Sequence, residues 1–178
     1  MSVFDRGILE GEKEGNRERW GGEPEAEVFP AVPRPPASVD EVIAISTLSH
    51  QLFPEQPWDR IAVEEEMARR DGWVRVLVDG CGGLVGYLLA RTGVDEVQIL
   101  QIGVSPAFQG RGHGRLLLRR FLDEVDASGI PMVSLEVRSS NRVARKLYLG
   151  EGFRRVGIRR AYYRRPVDDA LLMTRPRP

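Results

Sequence analysis

Three segments of the chain carry residues whose types and spacing can do chemistry. In Val104-Ser105-Pro106-Ala107-Phe108-Gln109-Gly110-Arg111-Gly112-His113-Gly114, alternate glycines sit where a strand gives way to an amphipathic helix. Glycine permits a tight turn, and free N–H groups at a helix start can converge on a phosphate. The spacing is neither G-x-G-x-x-G nor a P-loop, so a phosphate cradle and a merely tight turn both remain open. In the second segment, Leu135-Glu136-Val137-Arg138-Ser139-Ser140-Asn141, alternation puts Ser134 and Glu136 on one face and Leu135 and Val137 on the other. An acid on such a strand needs a partner or a cleft. Glu136 therefore either pairs with a nearby arginine or stands ready to take a proton. In the third segment, a helix from Asn141 brings Ala144, Leu147 and Tyr148 to one face, where spacing alone reads Tyr148 as a core aromatic. Asn141 either caps that helix or contacts a ligand. Cys81, in a glycine hairpin without a nearby histidine, reads as an incidental thiol. His50 and His113 lack metal-ligand spacing, so no metal is expected, and His113 reads as a surface residue rather than a general base.

These residues need elements to hold them. Ser38-Val39-Asp40-Glu41 has capping-box spacing, and Val42, Ile45, Leu48 and Leu52 follow at helical intervals. Phe53-Pro54-Glu55-Gln56-Pro57-Trp58 breaks that helix, and a second is expected from Asp59 to Arg70. The period then changes. Trp73–Asp79 and Leu84–Arg91 read as a hairpin around Gly80–Gly83, and Glu96–Val104 as a third strand. Leu118, Phe121, Leu122 and Val125 mark one face of a helix that stops near Gly129 and Pro131. Strands are expected at Pro131–Arg138, Phe153–Tyr163 and Ala170–Thr174, with a short helix over Asn141–Gly150. Ala26–Arg34 suits an edge strand, because Pro30 and Pro33 would spoil a central one. Residues 1–25 are charged and glycine-rich with little apolar periodicity, and are expected to form a disordered extension of a domain spanning 26–176. Hairpins combined with a strand–helix–strand crossover call for a mixed sheet in an α/β domain.

Gln109-Gly110-Arg111-Gly112-His113-Gly114 resembles the Q/R-x-x-G-x-G/A motif of the GCN5-related N-acetyltransferases (GNAT). Leu135–Asn141 with Ala144, Leu147-Tyr148 and Glu151-Gly152-Phe153 resembles the RimI-type branch, the ribosomal-protein alanine N-acetyltransferases. Ile158–Tyr163, Asp169–Met173 and Phe53-Pro54…Trp58 extend the resemblance, although Glu55-Gln56-Pro57 is extra to the usual F-P-W. The resemblance implies a single-domain GNAT fold: a mixed, mostly antiparallel sheet with helices on both faces. Two splayed parallel strands, Glu96–Val104 and Pro131–Arg138, would hold acetyl-CoA between them. Gln109, Gly110, Arg111, Gly112 and Gly114 would surround its pyrophosphate, Ile102 and Val104 would bond its pantetheine arm through their backbone, and Asn141 would contact it or cap the helix. Glu136 would be the base, Tyr148 the acid that protonates the departing thiolate, and Phe53, Trp58, Tyr162 and Tyr163 the walls along which the amine arrives. The implied substrate is the N-terminal alanine of the eighteenth small-subunit ribosomal protein. Lysine side chains, small amines, and a non-catalytic acetyl-CoA sensor or RNA-binding module stand as alternatives.

The 178 residues, 42% hydrophobic and 29% charged, fit one globular domain. No apolar run reaches the roughly 20 residues of a membrane span, and no signal pattern opens the chain. One cysteine excludes an intramolecular disulfide. The expected compartment is the cytoplasm, with no membrane partner. The zero net charge hides an asymmetry: residues 1–30 hold eight acids and four bases, whereas residues 138–178 hold twelve bases and three acids. The basic half reads either as solvated surface or as attraction to a polyanion such as cofactor phosphates. Aromatics are not interleaved with those bases beyond Tyr162 and Tyr163, so no direct nucleic-acid partner is expected.

Overall fold

A computed structural model describes residues 34–36 and 38–178. The expected extension, and all of the expected first strand except Arg34, lie outside the described residues. Arg34 exchanges two backbone hydrogen bonds with Val76. The helix predicted after Ser38 is α1, Val39–Leu52, and the Ser38 hydroxyl accepts from the Glu41 N–H as the spacing requires. Asp59 does the same for α2, Arg60–Ala68, by accepting from the Ala62 N–H. The strands β1 (Gly72–Val78), β2 (Leu84–Thr92) and β3 (Val97–Val104) follow, then α3 (His113–Ser128), β4 (Met132–Arg138), α4 (Arg142–Gly150), β5 (Arg154–Arg164) and β6 (Val167–Pro176). The last strand begins three residues earlier than expected, at Val167, because it pairs with β5 along the whole hairpin.

The six strands form one mixed sheet in the order β1-β2-β3-β4-β6-β5, antiparallel throughout except where β3 meets β4. Each face is covered by its own core. Leu117, Leu118, Phe121, Leu122 and Val125 of α3 pack with Ile99, Leu135, Tyr148 and Met173 on one side. Val42, Ile45 and Leu48 of α1, with Val63 of α2, pack against Val74, Val76, Tyr87 and Leu89 on the other. Strand β2 lies under both covers and is buried on both faces, as a central strand must be.

The feature that positions the site is the parting of β3 from β4. Their parallel pairing covers only Val97↔Val133, Gln98↔Ser134 and Ile99↔Leu135, after which the strands diverge. A β-bulge coincides with the divergence. Leu89 and Ala90 of β2 face Gln101 and Ile99, leaving Leu100 as the extra residue. An extra residue reverses which face each later side chain meets. Ile99 belongs to the core under α3, Gln101 bonds residues on the α1 side, and Ile102 returns to the α3 side.

Candidate active site

Beyond the bulge, Ser105 N–H donates to the Val85 carbonyl at 2.9 Å. Backbone polar groups alternate between the two edges of a strand, so those of Ile102 and Val104 turn away from β2, toward the gap left by β4. Part of that edge is occupied: Gln109 Nε2 donates to the Val104 carbonyl at 2.9 Å. The chain then makes a 3₁₀ turn over Pro106–Phe108 and reaches Gly110 (φ 76°) and Gly112 (φ 87°), both left-handed, a conformation glycine adopts without strain. Gly112 is the N-cap of α3 and supplies no side-chain oxygen, whereas Ser38, Asp59 and Asn141 cap α1, α2 and α4. The first amides of α3 are therefore left for something else, at the positive end of the helix dipole. A Cβ added to Gly110 or Gly112 would meet nothing within 4 Å, so open space lies over this backbone. Gly114 is placed differently: its Cβ would touch Val104 and Leu147. Arg111 is exposed and makes no ion pair or hydrogen bond among the described residues.

His113 departs from expectation. It is 8% exposed, not on the surface, and its Nδ1 lies 2.9 Å from the Phe108 carbonyl. Its place as the first residue of α3 turns the ring under the loop rather than outward.

Along β4 the expected alternation holds: Val133, Leu135 and Val137 are buried, while Ser134, Glu136 and Arg138 are half-buried on the opposite face. The Glu136 side chain is 18% exposed, and its Oε1 is 2.7 Å from Arg159 Nη1 of β5. The arginine partner that spacing allowed for is thus present, leaving Oε2 without a partner among the described residues. Tyr148 is 5% exposed in the core under α3, its ring 5.7 Å from that of Phe153. Burial, and secondarily Tyr163, pushes its phenol well above the ordinary range. Tyr163 is itself raised, first by burial and then by the charge of Glu136, against the opposing charge of Arg138. Asn141 is the α4 cap, its Oδ1 accepting from the Ala144 N–H at 3.0 Å.

The four expected amine-side residues separate into two pairs. Phe53 and Tyr163 line one pocket of ≈270 Å³, together with Pro54, Glu55, Arg138 and Pro166. Trp58 packs partly buried against the core under α1, and Tyr162 lies outside the pocket, 41% exposed, edge-on to Tyr163 at 5.1 Å. The three extra residues of the loop are tied at two points. Arg138 Nη2 donates to Glu55 Oε2 at 2.5 Å, while Gln101 Nε2 donates to the Gln56 carbonyl at 3.2 Å. Arg138 also donates to the Pro166 and Arg165 carbonyls at 3.1 and 3.4 Å and stacks 4.0 Å from the Tyr163 ring centre. Gln101 is held in turn by hydroxyl donors from Ser49 (2.7 Å) and Tyr87 (2.5 Å), and Ser49 accepts from the Trp58 N–H at 2.8 Å. Sequence reasoning named none of Ser49, Gln101 or Arg138 as positioning residues. The signal for the first two was a polar residue within an otherwise apolar helix face or strand.

Comparison with known proteins agrees with this geometry. Residues 40–153 match the Acetyltransferase (GNAT) family profile. The N-alpha-acetyltransferase RimI of Mycobacterium tuberculosis is 44% identical over 133 residues, spanning 72% of this chain and 82% of that protein. A ribosomal protein bS18-alanine N-acetyltransferase from Salmonella typhimurium is 38% identical over 95 residues, covering 52% of this chain and 64% of its own length. Among solved structures, the ribosomal-protein-S18-alanine N-acetyltransferase of Escherichia coli superposes with a TM-score of 0.71 at 27% identity, covering 79% of this chain and 90% of that one. The profile runs from α1 through α4, the elements that build the strand gap, the glycine loop and the Glu136 face; this chain belongs to the acetyltransferase (GNAT) family, in its RimI-type branch.

Proposed function

We propose that this acetyltransferase moves an acetyl group from acetyl-CoA onto the N-terminal alanine α-amine of ribosomal protein S18, or of similar protein N-termini, in the cytoplasm. The observation that carries this reading is the gap between β3 and β4, bounded by a helix start without a side-chain cap at one end and Glu136 at the other. The names borne by the S. typhimurium and E. coli relatives supply the S18 alanine, and that of the M. tuberculosis relative supplies the α-amine. Among the described residues, no helix is long and apolar enough to cross a membrane.

Acetyl-CoA supplies the acetyl group as an activated thioester. The residues suit it. Gly110 and Gly112 leave the space a pyrophosphate needs, the first amides of α3 donate to it, and Arg111 adds a free positive charge. Ile102 and Val104 present backbone groups to the pantetheine arm. Because Gln109 already holds the Val104 carbonyl, that side chain must let go or the arm must use the neighbouring groups. A peptide α-amine has a pKa of about 8, so near neutrality it arrives mostly as ammonium. Glu136 takes the proton, directly or through a water, on the oxygen Arg159 leaves free. Tyr148, a neutral phenol, gives its proton to the departing sulfur and regains one from the nitrogen as the amide forms. Phe53 and Tyr163 grip the first residues of the peptide, with Trp58 supporting the loop from behind and Tyr162 flanking Tyr163. Most of the rate comes from holding the reactants in line.

A peptide beginning Ala-Arg with a free α-amine should be acetylated there, while the same peptide with a blocked terminus and a free lysine should react poorly. Mass spectrometry that places the acetyl group mainly on lysine overturns the substrate but not the family. Calorimetry tests the loop. Gly112→Val should weaken CoA binding while leaving affinity for a pantetheine fragment without phosphates unchanged.

A further inference from the structure

His113 stands between the two motif glycines, Gly112 and Gly114, at a position whose residue type the motif leaves free. In this chain it is not idle. A carbonyl can only accept, so the 2.9 Å contact with the Phe108 carbonyl requires a hydrogen on His113 Nδ1. The same ring meets the Phe108 ring nearly edge-on, 5.9 Å between centres at 76°. One side chain therefore fastens both the backbone and the ring of the last residue of the 3₁₀ turn to the first residue of α3. Between these two anchors lie only Gln109, Gly110, Arg111 and Gly112, two of them left-handed glycines with nothing packed over them. A loop so rich in glycine has many conformations to lose when it closes on a ligand. A part-buried hydrogen bond across its base removes part of that cost before the ligand arrives.

We propose that His113 is a positioning residue that pre-shapes the loop for the cofactor's pyrophosphate, setting affinity without taking part in acetyl transfer. The proposal rests on the reading of Gln109–Gly114 as the pyrophosphate loop. With Nδ1–H held by the Phe108 carbonyl and the ring 8% exposed beneath the loop, the part of His113 is to hold the loop, while the base role stays with Glu136 on β4.

The side-chain nitrogen of asparagine branches from Cγ as Nδ1 of histidine does, whereas that of glutamine lies one bond further out. The test compares CoA binding by calorimetry in the wild type and in the His113→Leu, His113→Asn and His113→Gln variants. Leucine keeps the buried volume and loses the donor. It should weaken CoA roughly five- to tenfold, the worth of one intramolecular hydrogen bond. The KM for acetyl-CoA should rise by the same factor, while saturated kcat, the peptide KM and affinity for a pantetheine fragment stay where they were. Asparagine should restore most of the loss and glutamine should not. If the leucine variant binds CoA like wild type, or asparagine is no better than leucine, the positioning role is wrong. Should leucine prevent folding, the asparagine–glutamine contrast decides alone. Gly112→Val separates the two levels. Wild-type CoA binding in that variant removes the loop from the site altogether, whereas impaired binding there alongside a normal His113→Leu removes only His113.

Discussion

Glu136 is held on one oxygen and open on the other, and this division makes its role testable apart from packing. Arg159 fixes the carboxylate against β5, so a neutral replacement loses the charge and keeps most of the shape. Glu136→Gln should leave CoA affinity at the wild-type value and lower kcat by roughly 10²- to 10⁴-fold, the range of general-base catalysis. Because the amine titrates near a pKa of about 8, raising the pH supplies it already deprotonated, and the deficit should shrink in a kcat-versus-pH series. A deficit constant with pH would assign the residue to binding or folding. Tyr148→Phe keeps the ring against Phe153 and removes only the hydroxyl. It should lower turnover with little change in melting temperature. Wild-type turnover in both variants would remove the acid–base pair from the reaction.

Between elements, Arg138 joins the α1–α2 loop to the β5–β6 hairpin across the mouth of the pocket, through Glu55, two carbonyls and the Tyr163 ring. Its side chain and that of Glu55 are 26% and 29% exposed, so solvent screens their attraction. Glu55→Gln should therefore raise the peptide KM only about two- to fivefold, and Arg138→Ala should raise it further because the ring stacking is lost as well. Neither should alter CoA binding by calorimetry, since the glycine loop lies between β3 and α3. A second link holds the β4–α4 loop to β6. Asp168 accepts from the hydroxyls of Ser139 and Ser140 and from the backbone N–H groups of Ser140 and Asp169. The Ser139 and Ser140 hydroxyls, foremost among these donors, hold its carboxyl at about 2 against an ordinary 3.8. A carboxyl lowered by folding stabilises the native state above its unfolded value, and that stability is lost as pH falls through the folded one. Melting curves of wild type and Asp168→Asn should thus differ at pH 6 and converge as pH falls from about 4 to about 2.

At the scale of the whole molecule, residues 34–36 and 38–178 already close both cores, one on each face of the sheet. Deleting residues 1–25 should accordingly leave melting temperature and kinetic constants unchanged; a large drop in melting temperature would show that the segment packs on the domain. The sequence by itself determined the elements, the order in which they run, and the family. Caps at Ser38 and Asp59, the apolar stripe of α3 and the alternation of β4 are local, set by neighbours one to four residues away. The glycine run and the Leu135–Asn141 run carried the reading of the site for the same reason, since each is a continuous stretch. Only the tertiary structure decided which side chains meet across elements. Glu136 finds Arg159 two strands away, Arg138 reaches back to Glu55, and Gln101 joins α1, β2 and the extra loop residues because a bulge at Leu100 turns it to that face. His113, expected at the surface, is buried for a related reason: exposure follows from how helix α3 is rotated against the sheet, and a single position in a motif does not record that rotation.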